Sequence, residues 1–252
     1  MTADEASRPR TPHRAEVFGD GLSCGCTTGG YGVLLDFDGL VLDSEGTALS
    51  VLRAMFEERA TVLPEALPHL MNGVLAFARS SLTMVAADDP VEALLDEFEQ
   101  RCVERCGELA AMDGITNLLD TVSEHGDTVA VVTNNEAGWV MDQLTRLGLH
   151  GKVGALVTRD GDPGCRAKPS PDLYRKAAAR AGLPDGRLIA VEDSPTGVAA
   201  ATAAGLACVA VRNPAFRGLP FDAADLVVDS ARLLDSCTLR NVLSVRAEQG
   251  WA

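Results

Sequence analysis

The chain has 252 residues, of which 46% are hydrophobic and 23% charged. That is enough apolar material for one large domain, or for a core domain carrying a smaller insert, and too much for wholesale disorder. A formal net charge of -14 repels phosphate backbones and anionic lipid, so nucleic-acid and membrane-surface partners are not expected without a local basic patch, and the sequence contains none.

In chain order, residues 1–29 combine charged and small side chains without an apolar period and are expected to form a mobile arm. They contain Cys24 and Cys26, and Cys102 and Cys106 follow at helical i, i+4 spacing, yet neither pair has a further ligand nearby. The seven cysteines are odd in number and scattered, which suits reduced thiols. No segment approaches bilayer length, and the first thirty residues lack the apolar core of a secretory signal. The expectation is a cytoplasmic protein.

From Tyr31 onward, short β-rich runs recur. They are "YGVLLDF", "DTVAVVT" (127–133), "GALVT" (154–158), "RLIAVED" (187–193), "ACVAV" (207–211) and "DLVVD" (225–229). Segments of helical character lie between them, such as "AGWVMDQLTRLGL", "SPDLYRKAAARAGL" and "SPTGVAAATAAGL". Strand alternating with helix predicts an α/β fold with a doubly wound parallel sheet. One interval departs from this rule. Residues 46–111 carry apolar positions at helical spacing, broken by Pro64, Pro68 and Pro90, and predict an all-helical insert. The expected organisation is an arm at 1–29, a core at 30–45 and 112–235, a helical cap at 46–111, and a C-terminal helix and tail at 236–252.

In an open parallel sheet, ligands bind beyond the carboxyl ends of the strands. Asp36 and Asp38 stand there after the first run, Thr133 and Asn134 after the second, Lys168 ahead of a later helix in "AKPSPD", and Glu192 and Asp193 after the fourth. If the first strand continues to Phe37, alternation turns Asp36 and Asp38 to one side. Carboxylates, a hydroxyl and an ammonium suit a hard cation and a phosphoryl group, and Mg²⁺ commonly joins one or two carboxylates to a phosphate. Lys168 is one of only three lysines, with Lys152 and Lys176. Ser170-Pro171 and Ser194-Pro195 each pair a predicted N-cap with proline at the first helical position.

In order and spacing, "DFDGLVLDSE", "VVTNN", "KPSPD" and "VEDSPTG" resemble the four motifs of the haloacid dehalogenase superfamily, and the interval 46–111 matches the place and size of its helical cap. The resemblance covers residues 31–230 and implies a Rossmann-like core and a Mg²⁺-dependent phosphatase working through an aspartyl phosphate. It implies that Asp36 is the nucleophile and that Asp38 is the acid that protonates the leaving alkoxide and later accepts a proton from water. Thr133, with Asn134 assisting, would bind a phosphoryl oxygen, and Lys168 would neutralise phosphoryl charge and hold Asp36. Asp36, Asp193 and the main-chain carbonyl of Asp38 would hold the metal, with Glu192 behind them. True dehalogenases lack the second acid, and the phosphonate-cleaving branch needs a cap lysine, whereas no lysine precedes Lys152. The mutase branch carries an early cap histidine near where Ala48 stands, and an arginine shortly after a glycine that resembles Gly73, which here is followed by "VLAF".

The expected substrate is therefore a small phosphate ester, acted on by a monomer or weak homodimer. A sugar-phosphate mutase of the β-phosphoglucomutase kind and a non-catalytic binding module are the alternatives. Residues 46–111 hold five Arg against eleven acids, so the cap should disfavour polyanions. The segment "VLAFARS", with Arg79 as its cation, would offer substrate a largely apolar surface if it faces the core.

Overall fold

In the computed structural model, the described residues are 30–63, 74–86, 90–214 and 218–248. The arm and its Cys24/Cys26 pair lie outside them, as do Gly73 and the side chains of residues 74–77.

Six strands form one parallel sheet: β1 (Gly32–Leu35), β2 (Thr128–Val132), β3 (Ala155–Val157), β4 (Leu188–Glu192), β5 (Ala207–Val211) and β6 (Leu226–Val228). Their order is β3-β2-β1-β4-β5-β6. The chain leaves β1 towards β2 on one side and later returns to β4 on the other, so β1 borders the topological switch point, where such sheets bind ligands. Each of the six apolar runs forms a strand. The four inner strands, buried on both faces, read as near-continuous Val, Ile, Leu and Ala, which is why they stand out.

Alternate strand residues feed two apolar layers. Val33, Leu35, Val129, Val131, Ile189 and Val191 pack beneath α4 (Ile115–Glu124), α5 (Ala137–Arg146) and α8 (Ser236–Glu248). On the other face, Leu34, Ala130, Val132, Leu188, Ala190 and Cys208 meet α6 (Asp172–Ala181) and α7 (Pro195–Ala203). The C-terminal helix α8 is tied to the base of the sheet. Arg240 pairs with Asp127 at 2.6 Å and lies 4.5 Å from the Tyr31 ring centroid, while Arg246 pairs with Asp225 at 2.7 Å.

Between β1 and α4 stand α1 (Ser44–Glu58), α2 (Val74–Val85) and α3 (Val91–Cys106). The helix α1 begins two residues before position 46, because the Asp43 side chain caps it by accepting the Gly46 N–H at 3.2 Å. Ala48, Leu52, Met55 and Phe56 recur at helical spacing and pack with Ala78, Leu82, Leu94, Leu95 and Phe98 into a separate core. The cap is thus a bundle with its own apolar centre. Ala78 is buried there, whereas exposed Arg79 faces Glu92 at 3.6 Å. Among the described residues no helix is long and apolar enough to cross a membrane.

The two Ser-Pro joints differ. Ser194 caps α7, its Oγ accepting the Gly197 N–H at 3.1 Å, and Pro195 opens the helix as predicted. At the other joint Pro171 itself is the cap residue and α6 starts at Asp172. The Ser170 hydroxyl accepts only a long 3.4 Å bond from the Asp172 N–H, whose own carboxylate is drawn away to Arg166.

Candidate active site

The strand β1 ends at Leu35, one step short of the acids, although the Asp36 N–H continues the ladder to Val191 O at 3.0 Å. Phe37 is fully buried and anchors the turn. Beyond it Gly39 takes φ +81°, where L side chains are strained, and a β-carbon there would lie 2.0 Å from Asp193 Oδ2. Glycine is therefore required twice over in "DFDG".

Asp36, Lys168, Glu192 and Asp193 come together in a buried cluster at the ends of β1 and β4. Lys168 Nζ donates to Asp36 Oδ1 at 2.6 Å, Glu192 Oε1 at 2.6 Å and the Val132 carbonyl at 2.7 Å. These acceptors take all three ammonium protons. A phosphoryl oxygen would therefore have to exchange with one of them. Tyr174, from α6, donates to the same Glu192 oxygen at 2.6 Å, and its ring centroid lies 4.9 Å from Lys168 Nζ. Glu192 also accepts from Ser194 at 3.3 Å and lies against Gly197, where a β-carbon would come within 1.9 Å of its carboxylate.

Asp38 faces a different set of donors. Ser44 Oγ donates to it at 2.7 Å, Thr133 Oγ1 at 3.2 Å, and Asn135 Nδ2 reaches both carboxylate oxygens at 3.3 and 3.2 Å. Thr133 thus turns its hydroxyl proton towards Asp38, and its oxygen accepts the Asn135 N–H at 3.0 Å. Asn134 backs the lysine instead. Its Oδ1 accepts the Lys168 N–H at 2.8 Å and its Nδ2 donates to the Lys168 carbonyl at 3.3 Å. Ser44, Glu45, Asn135 and Tyr174 were not singled out from the sequence, although each lies inside or beside a quoted motif.

The cluster carries more negative than positive charge. Burial first, then the charge of Glu192, push Asp36 up to about 8, with Lys168 only partly opposing them. Burial, then Glu45 and Asp36, hold Asp193 well above the usual carboxylate range. Half-buried Glu45, from the first turn of α1, is pushed up to about 8 by burial and then by Asp38 and Asp36. Burial alone would lower Lys168, but Asp36 and Glu192 outweigh it and raise the ammonium's pKa.

One atom points to what would balance this charge. Among the described residues, Asp193 Oδ2 is buried without a hydrogen-bond partner, a costly state for a carboxylate oxygen. Ligand oxygens of Asp36, Glu192 and Asp193 lie within 4.8 Å of one another. An all-oxygen set with an unpartnered buried carboxylate fits a hard divalent cation. Among the described residues this is the only grouping of three or more His, Cys, Asp or Glu that could hold a metal, and it leaves out Cys102 and Cys106.

The Haloacid dehalogenase-like hydrolase model matches residues 33–211. The chain is 29% identical over 221 residues to the protein YhcW of Bacillus subtilis (strain 168), covering 83% of this chain and 98% of that one. It is 31% identical over 185 residues to a phosphoglycolate phosphatase of Xanthomonas campestris pv. campestris (strain 8004), covering 71% and 81% respectively. Among solved structures it is similar to a β-phosphoglucomutase from Clostridium difficile, with a TM-score of 0.68, 17% identity, and coverage of 87% of this chain and 100% of that one; at that identity the likeness concerns the fold. With the buried acids and Lys168 at the switch point of its sheet, the chain belongs to the haloacid dehalogenase-like hydrolase family and is a phosphatase of that family.

Proposed function

We propose that this phosphatase is a Mg²⁺-dependent hydrolase of small phosphate monoesters that works through an aspartyl phosphate on Asp36. The observation that carries the reading is the clamp on Asp36. Its Oδ1 is held by Lys168 at 2.6 Å, which leaves the other carboxylate oxygen to attack phosphorus, and the cation these acids would hold offsets the burial and neighbouring charge that otherwise favour the protonated carboxyl. Glu192 and Tyr174 fix the lysine in turn, so its charge stays where phosphoryl negative charge develops.

Asp38 protonates the departing alkoxide and then takes a proton from the water that discharges the intermediate. Its donors from Ser44, Thr133 and Asn135 come from both the cap and the core and hold the carboxyl in one orientation. Thr133 and Asn134 complete the site. The first presents a hydroxyl beside Asp38, and the second fixes the lysine main chain. Asp36 and Asp193, with the Asp38 main-chain carbonyl, would hold Mg²⁺, which when bound neutralises phosphoryl charge and orients the ester. Ala48 is packed in the cap core and offers no side chain for a second proton relay, which favours hydrolysis over mutase chemistry.

The test is hydrolysis of 4-nitrophenyl phosphate by purified protein. Turnover is expected only with an added divalent cation and should be abolished in Asp36→Asn. Undiminished turnover in that variant, once contaminating phosphatase is excluded, would refute the nucleophile assignment.

A further inference from the structure

Two residues in the connection between β5 and β6 bear on the cap rather than on the acid cluster. Asn213 is only 3% exposed, and its amide donates to the Gly39 carbonyl at 2.9 Å and to Asp43 Oδ1 at 3.2 Å. Gly39 directly follows Asp38. Asp43 is the residue that caps α1, and the same Oδ1 accepts the Gly46 N–H. One core side chain thus joins the turn carrying Asp38 to the first turn of the cap.

Six residues on, Leu219 packs against two apolar clusters, the sheet layer beneath α6 and α7 and the interior of the cap. The return linker is fastened separately. Arg146 of α5 donates to the carbonyls of Cys106 at 3.0 Å and Leu109 at 2.7 Å. A bundle with its own core, joined to the sheet by two short linkers, would swing as a rigid body unless something fixed its angle.

We propose that Asn213 and Leu219 form a clasp that sets the position of the cap over the site, Asn213 at the outgoing linker and half-buried Leu219 against the cap's apolar core. Both are positioning residues. Asn213 acts through Gly39 and Asp43, and Leu219 acts through the cap helices. Releasing either lowers the fraction of molecules with the cap in place, so apparent substrate affinity falls by that fraction while Asp36, Lys168 and Glu192 keep their mutual bonds. The effect on affinity rests on the phosphatase reading; the mechanical coupling does not.

The experiment pairs amide hydrogen exchange with steady-state kinetics on the full chain, using Asn213→Ala, Asn213→Leu and Leu219→Ala, with Leu219→Met as the conservative control. In both Asn213 variants, exchange across residues 39–47 should rise about tenfold while β4 is unchanged, because local opening is set by local bonds. In Leu219→Ala the rise should fall on α1 and α3, and Leu219→Met should restore protection. With 4-nitrophenyl phosphate and Mg²⁺, KM should rise about fivefold with kcat little changed. Unaltered exchange at 39–47, an equal rise in β4, or a fall in kcat at constant KM would overturn the clasp. If the wild-type chain hydrolyses no phosphate ester, the phosphatase reading fails and the exchange results still decide the clasp.

Discussion

Replacing Lys168 by methionine keeps most of the side-chain volume and removes the ammonium, and with it the bonds to Asp36, Glu192 and the Val132 carbonyl. The lysine side chain is 4% exposed, and those of Asp36 and Glu192 are 10% and 0% exposed, so water cannot replace the lost partner. Breaking a buried ion pair by removing one member costs about 3–5 kcal/mol, because the other charge is left uncompensated. For a chain of this size each kcal/mol lowers Tm by about 2–4 °C. A drop of about 6–20 °C is therefore expected in thermal unfolding followed by circular dichroism in chelator. Added Mg²⁺ should recover more of that loss in the variant than it adds to wild type, since a cation would neutralise the same carboxylates. Turnover of 4-nitrophenyl phosphate should fall about 10²–10³-fold, the usual cost of removing a charge-stabilising donor. A Tm within about 2 °C of wild type, with turnover preserved, would refute the claim that Lys168 balances the cluster.

Asp38→Asn should fold, and should lose more turnover with alkyl phosphates than with 4-nitrophenyl phosphate, because a stable leaving anion needs less protonation; equal losses would argue for a structural role. Gly197→Ala would place a β-carbon within 1.9 Å of the Glu192 carboxylate, so turnover should fall although alanine is the better helix former; full activity in this variant would show that Glu192 can move without cost. Burial pushes Cys102 up to about 12 and Cys106 up to about 11. Since the thiolate is the reactive form, maleimide labelling of α3 at pH 8 should run about a hundredfold or more slower than that of glutathione and should rise steeply above pH 10, and labelling at the glutathione rate would contradict that burial.

Much of the core was legible in the sequence because its physical signals are local. A parallel strand buried on both faces must be apolar throughout, so the four inner runs announced themselves and the acids at their ends stood out against them, while the edge runs of β3 and β6 are apolar though only partly buried. The Ser194-Pro195 start was legible for the same reason, since a cap and its helix are neighbours in the chain. Ser170-Pro171 formed differently, with Pro171 at the cap position and the Asp172 carboxylate at the first helical position paired with Arg166.

The sequence by itself determined the alternation of strand and helix, the helical insert, and which residue types stand at the strand ends. Only the tertiary structure decided what those residues do to one another. Asn135 rather than Asn134 reaches Asp38, across 97 positions of chain, while Asn134 turns to Lys168. Tyr174 meets Glu192, and Asn213 meets Gly39 across 174 positions. Hydrophobic periodicity records which face a side chain lies on. It does not record which partner it meets there, because that depends on how separate strands come into register. The burial that pushes Asp36 and Glu45 up likewise arises only where sheet, turn and cap converge on one point.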